Sequence, residues 1–121
     1  MQTLKSRKDI ASLFREGSRS GRKHVVALAR LRDDTDEDQE SCGSSRGRLL
    51  VVAGRKLGGS VMRNRAKRVL RASFARTKPD IADCDVALIA TQLTARADSR
   101  DLDSDVREAV REAVRKERAR R

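Results

Sequence analysis

Apolar residues recur along this chain with two periods, and the changes from one to the other mark its elements. Ile10, Leu13 and Phe14 share a helical face behind Ser6-Arg-Lys-Asp9, a capping box in which Ser6 is the N-cap and Asp9 reaches back; Gly17 is the expected stop. His24 to Leu31 and Leu49 to Ala53 are short, partly β-branched runs that predict two strands of an antiparallel hairpin. Helical spacing returns with Met62, Ala66, Val69, Leu70 and Ser73, which fall within about a third of the helix circumference and predict its buried face. Ser60 is placed to cap this helix, which then starts at Val61, and Pro79 ends it by disfavouring helical geometry at the preceding residue. Asp85 to Ala90 reads as a buried strand. Leu102, Val106, Ala109, Val110, Ala113 and Val114 mark a final amphipathic helix. Asp98, Asp101, Asp103 and Asp105 near its start and Arg118, Arg120 and Arg121 at its end complement the helix dipole. The order helix, strand, strand, helix, strand, helix predicts an α+β fold, helices packed on a small sheet, and 121 residues suit a single domain.

Charge divides this domain unevenly. The net charge is +11, which calls for a densely anionic partner, most commonly nucleic acid. Residues 1 to 32 carry nine bases and two acids, and residues 46 to 79 carry eleven bases and no acid. Residues 33 to 45 hold six acids and no base, within an expected flexible hairpin insertion at 33–47, and residues 117–121 read as a basic tail. Asp34, Asp36 and Asp38 alternate as in a calcium loop, but Gln39 stands where the turn glycine belongs and Ser45 where the bidentate Glu belongs. Cys42, Cys84 and His24 are too few and scattered for zinc, so free thiols and no metal site are expected. No apolar stretch approaches the roughly 20 residues that span a bilayer, and the N-terminus lacks the apolar centre of a signal peptide. The expected compartment is the cytoplasm, with no membrane partner.

The richest run is Gly54 to Arg71, where a glycine-rich turn leads into a helix with cations on its outer side. Arg55, Lys56, Arg63, Arg65, Lys67, Arg68 and Arg71 are seven cations without one acid, and Asn64 sits among them. Arg63, Lys67 and Arg71 form one i, i+4, i+8 column, with Asn64 and Arg68 in the next and Arg65 beyond. A merely solvated helix interleaves signs to gain i, i+4 pairs, so this fan fits a polyanion. Gly54, Gly58 and Gly59 allow a tight turn and close approach of a phosphate to the helix N-terminus. A nucleotide-binding P-loop is excluded, because Ser60 replaces the required Lys. The remaining classes are a structural RNA-binding protein of ribosomal type, a nuclease acting alone, and a DNA-binding regulator. The nuclease needs clustered carboxylates for metal ions, yet the dense acids lie only in the insertion. The regulator needs a helix-turn-helix pair, and none is evident.

On these residues the chain resembles the protein component of bacterial ribonuclease P. Val61-Met-Arg-Asn-Arg-Ala-Lys-Arg-Val-Leu-Arg71 is similar to that family's Arg-Asn-Arg signature, with the basic glycine turn Arg55 to Gly59 before it. Leu4 to Asp9 leading to Leu13, Phe14 and Gly17, and the strand at Asp85 to Ala90, extend the match over about residues 4 to 115. The resemblance implies a fold like domain 2 of ribosomal protein S5, with a left-handed βαβ crossover. It also implies that a partner RNA with bound Mg2+ is the catalyst, removing the 5′ leader of precursor tRNA, while the protein itself has no catalytic residue or cofactor. Contacts to that RNA fall on Arg55, Lys56, Gly58, Gly59, Arg63, Asn64, Arg65, Lys67, Arg68 and Arg71. Leader contacts fall on Ile10, Phe14, Val25 and Leu28 in a cleft between the first helix and the sheet, with Lys5, Arg7 and Lys8 nearby. Ile10, Val25 and Leu28 occupy positions that are often aromatic in the family, so base stacking should be weaker; Phe14 also fits an ordinary core position. The 33–45 acids and Gly54, where serine is common, depart from the pattern. Outside the holoenzyme the protein is expected to be a monomer.

Overall fold

The computed structural model describes residues 2–3, 7–31, 47–81 and 84–120. Its elements in chain order are β1 (Gln2–Thr3), α1 (Arg7–Glu16), β2 (Ser18–Gly21), β3 (Val25–Leu31), β4 (Arg48–Val52), α2 (Ser60–Thr77), β5 (Cys84–Ala90) and α3 (Ser99–Arg120), with short 3-10 turns at Arg55–Leu57 and Thr94–Arg96. The strands form one mixed sheet in the order β1-β4-β5-β3-β2.

β3 and β4 are not the expected hairpin. β5 lies between them, antiparallel to β3 and parallel to β4, and the chain passes from β4 to β5 through α2 as a β-α-β crossover. Strands are forced to be neighbours by a tight turn, and the long acidic connection between β3 and β4 supplies none. The central place goes instead to β5, whose residues Cys84 to Leu88 are all buried, as suits a strand covered on both faces. β2 was not expected, because Ser-Arg-Ser-Gly carries no apolar signal. It pairs antiparallel with β3 and turns Ser18 and Ser20 inward.

Helix ends follow local rules with one shift. At Gly17 a Cβ would stand 2.5 Å from the Leu13 carbonyl oxygen, and the Gly17 N–H donates to that oxygen at 2.9 Å, so α1 stops where only glycine fits. Lys78 closes α2 in the left-handed conformation (φ 44°, ψ 56°), its N–H donating to the Phe74 carbonyl, with Pro79 following. The N-cap of α2 is Gly59 rather than Ser60, which is already the first helical residue. The Asp9 carboxylate accepts from Arg48 at 3.0 Å, and Ser6, the expected N-cap of α1, lies outside the described residues.

α2 and α3 cover one face of the sheet, over a core of Val25, Ala27, Ala29, Val51, Val86 and Leu88 with Leu70, Phe74, Val106 and Val110 from the helices. α1 covers part of the other face, where Leu13 packs on Leu28 and Ala87. The expected basic tail is the last turn of α3, and Glu117 within it is buried. Its carboxylate accepts from the Ser18 hydroxyl at 3.0 Å and the Leu31 N–H at 2.9 Å, tying α3 to β2 and β3. The acidic insertion lies outside the described residues except for Gly47, which is buried beside Ile81 and so belongs to the core.

Candidate nucleic-acid interface

The first part of the site is the outer side of α2 and the turn before it. Arg55, Lys56, Gly58, Gly59, Asn64, Arg65, Arg68 and Arg71 are exposed, while Arg63 and Lys67 are half-buried. Among the described residues, none of the seven cations expected here is ion-paired with a carboxylate. The Arg63 Nε is buried without a hydrogen-bond partner. Gly58 has φ 117°, a conformation side chains rarely adopt, and it turns the chain from the 3-10 turn toward α2. Gly54 and Gly59 have ordinary φ values, and a Cβ at either would meet nothing within 4 Å, so they leave open space rather than a required turn. Gly59 offers no side-chain acceptor, and the first N–H groups of α2 face outward with their partial positive charge. Met62, placed by the wheel on the buried face, is 38 % exposed; the buried stripe begins a turn later at Ala66. Arginine forks around a helix N-terminus bind phosphates by charge and by bidentate hydrogen bonds.

The second part is the α1 face of the sheet, which the strand register arranges in three rows across β3, β5 and β4. Arg30, Asp85 and Arg48 form one row, Leu28, Ala87 and Leu50 the next, and Val26, Ile89 and Val52 the third. In the charged row Arg48 is buried and holds Asp85 bidentately, Nε to Oδ1 at 2.9 Å and Nη2 to Oδ2 at 2.8 Å, while Nη2 also reaches Asp9 on α1. Burial alone lowers the Arg48 pKa, but hydrogen bonds and charge from Asp85, with Asp9, raise it above the ordinary value, so this cation stays charged. Arg30 lies 3.3 Å from Glu16 of α1. In the apolar rows Leu28 and Ala87 are covered, whereas Leu50, Val26, Ile89 and Val52 are only half-buried. Ile10 is half-buried beside them and Phe14 is 44 % exposed on α1, which rules out an ordinary core role for its ring.

This face corrects two expected leader contacts, Val25 and Leu28. Val25 is fully buried in the opposite core, under α3. Val25 and Leu28 are three residues apart, and with a period of two they cannot share a strand face. Val26 takes the place assigned to Val25, and Leu50, Val52 and Ile89 join it, none of them expected. Arg30 carried the missing signal: a charged residue in a strand marks its more open face, and counting back by twos leads to Leu28 and Val26. Leu28 shares the α1 face but is only 5 % exposed, packed under Leu13, so it is covered rather than open to a leader. Ile10 is half-buried and Phe14 exposed on that side, Arg7 and Lys8 are exposed in the first turn of α1, and Lys5 lies outside the described residues. Among the described residues no three His, Cys, Asp or Glu side chains gather to hold a metal ion, and no helix is long and apolar enough to cross a membrane.

Seven cations on one helix and its turn, without a carboxylate partner among the described residues and joined to a half-open apolar sheet face, fit a small RNA-binding protein of the α+β class. Comparison with known proteins makes the class specific. The family model Ribonuclease P matches residues 1–114. The ribonuclease P protein component of Oceanobacillus iheyensis is 32 % identical over 92 residues, covering 75 % of this chain and 69 % of that protein. That of Shouchella clausii is 27 % identical over 117 residues, covering 95 % and 84 %. The solved RNase P protein from Thermotoga maritima superposes with a TM-score of 0.70 at 25 % identity, over 93 % of this chain and 97 % of that one. The chain belongs to the ribonuclease P protein family, as the protein subunit that partners the ribonuclease P RNA.

Proposed function

We propose that the two parts of the site divide two RNAs between them. The α2 face, with the turn at Arg55 to Gly59, holds the catalytic RNA, and the half-open α1 face holds the single-stranded 5′ leader of precursor tRNA. The observation that carries this reading is the exposure of Phe14 on α1, the helix over the half-open sheet face, together with the seven cations of the α2 turn and outer face that, among the described residues, have no carboxylate partner. A base can stack on the Phe14 ring, a contact worth about 1 to 3 kcal/mol, while the aliphatic row accepts further bases by apolar contact alone. Arg7 and Lys8 at the start of α1 meet the leader backbone. Each phosphate neutralised on either face releases counterions, so both contacts weaken as salt rises.

Hydrolysis of the leader bond is the work of the RNA in this reading, and the protein binds and orients. Asp9 and Asp85 are held by Arg48, and among the described residues no three His, Cys, Asp or Glu side chains gather on this face. In this reading Mg2+ is held by RNA phosphates, which supply the hard oxygen ligands it prefers. The protein is a monomer outside the holoenzyme, in the cytoplasm. Reconstitution tests the assignment: precursor tRNA, magnesium and the cognate catalytic RNA are incubated at low salt with and without the protein. Faster cleavage or tighter precursor binding with the protein is expected. Cleavage by the protein alone, or no effect on the RNA-catalysed reaction, would contradict it.

A further inference from the structure

α3 carries a second arginine surface that the two faces above leave unused. Arg100, Arg107, Arg111, Arg115 and Arg118 are all exposed, and their spacing aligns them on one stripe of the helix. Eighteen residues of helix separate the first from the last, about 27 Å at 1.5 Å per residue. Among the described residues none of the five is ion-paired with a carboxylate.

This separation is built into the helix, because five of its acids, Asp103, Asp105, Glu108, Glu112 and Glu117, are occupied elsewhere. Asp103 takes Arg76 and Ser73 of α2, with bonds of 2.6 to 3.0 Å. Asp105 accepts from His24 at 2.7 Å, Glu108 and Glu112 face Arg22, and Glu117 is buried against β2 and β3. The acidic flank thus fastens α3 to the sheet and to α2, and the arginine flank is left to solvent. Where α2 ends, Pro79 and Asp80 form with Arg107, Arg111, Val114, Arg115 and Arg118 a groove of about 470 Å³, with Asp80 as the acid at its edge.

We propose that this stripe is a second docking surface for RNA, gripping the phosphate backbone of a duplex segment of the same catalytic RNA that α2 holds. The inference rests on the reading that the protein binds that RNA. Duplex backbone fits because the stripe has forked guanidinium donors and no aromatic ring on which an unpaired base could stack. The catalytic RNA fits better than the substrate because α3 and α1 lie on opposite faces of the sheet, so a leader held along α1 leaves the stripe facing away. Two separated phosphate-binding surfaces would fix the orientation of the protein on its RNA, which one helix cannot do alone.

The test replaces Arg107, Arg111, Arg115 and Arg118 together with Gln, which keeps helix propensity, and compares it with the matching Lys variant. Binding to the catalytic RNA is measured over a range of salt, with hydroxyl-radical footprinting. The Gln variant should lower the slope of log K against log salt by about 0.9 per lost duplex contact, roughly 2 to 4 in all, and the Lys variant should largely restore it. Footprints lost should differ from those lost on replacing Arg63, Arg65 and Arg68, and thermal unfolding should be unchanged. An unchanged salt slope in the Gln variant would overturn the proposal. So would a loss confined to precursor tRNA binding by the holoenzyme, which would move the stripe to the substrate. If the unaltered protein fails to bind the catalytic RNA, the underlying reading falls first and this one with it.

Discussion

On the α2–α3 face of the sheet, Val25, Ala27, Val86 and Leu88 are sealed under two helices with no exposure. On the α1 face a single helix of ten residues leaves Val26, Leu50, Val52 and Ile89 half-covered and Phe14 44 % exposed. Both faces are apolar, and one sheet supplies both. The first is filled to the density of a protein interior, so it contributes to stability and has nothing to offer a ligand. The second is under-filled by its own helix, and apolar surface left open beside fixed cations is what an extended strand of RNA can occupy. Coverage, not composition, separates the stabilising face from the face proposed to bind the leader.

The largest effect should come from the buried cluster in which Arg48 ties α1 to the sheet. Arg48→Ala leaves Asp85 and Asp9 without their shared cation, and denaturant unfolding should show a loss of about 3 to 5 kcal/mol. A near-neutral result would mean that the charged row does not anchor α1. Next is a direct contrast between faces. Leu88→Ala, fully buried, should cost about 2 to 5 kcal/mol, and Leu50→Ala distinctly less because its half-open site leaves a smaller cavity. Equal losses would show that the α1 face is closed in solution. Phe14→Ala should reverse the pattern: stability stays within about 0.5 kcal/mol, while leader affinity drops by about 1 to 3 kcal/mol, read by titrating fluorescent precursor into the holoenzyme.

The smallest effect concerns the seam between α2 and α3. Hydrogen bonds from Arg76, which outweigh desolvation, together with one from Ser73 and the Arg76 charge, hold the Asp103 carboxyl below its ordinary value of 3.8. A depressed folded pKa means that its stabilisation is present above about pH 3.8 and is lost as pH falls through the folded value. Asp103→Asn should therefore flatten the acid limb of a stability-against-pH curve below that point and change little near neutrality apart from a constant offset. An acid limb identical to that of the unaltered protein would remove Asp103 from the seam.

Local signals in the sequence reached further than pairing did. The Gly17 stop, the break at Lys78-Pro79 and the apolar faces of α2 and α3 are local, and each stands close to where periodicity and turn chemistry placed it. The cations of α2 were legible for the same reason, since exposure of a charged column needs no tertiary knowledge. Strand order was not, because β5 enters between β3 and β4 only after a crossover through α2, and nothing near either strand announces it. β2 was invisible because its inward residues are serines, and the partner of Ser18 is Glu117, nearly a hundred residues later. The exchange of Val25 for Val26 is a phase error between two adjacent valines, which Arg30 could have resolved. Met62 failed because a wheel assigns an angle but not whether the core extends that far along the helix.

The division of labour between the two faces is tested most directly by the leader itself. The reconstituted holoenzyme is titrated with precursor tRNA and with the same tRNA lacking its leader, using the unaltered protein, Phe14→Ala, and no protein. The unaltered protein should tighten binding of the precursor far more than that of the leaderless tRNA, and Phe14→Ala should shrink that difference without weakening the protein's hold on the catalytic RNA. Equal tightening of both tRNAs, or a leader effect untouched by Phe14→Ala, would contradict the assignment of the half-open face to the leader.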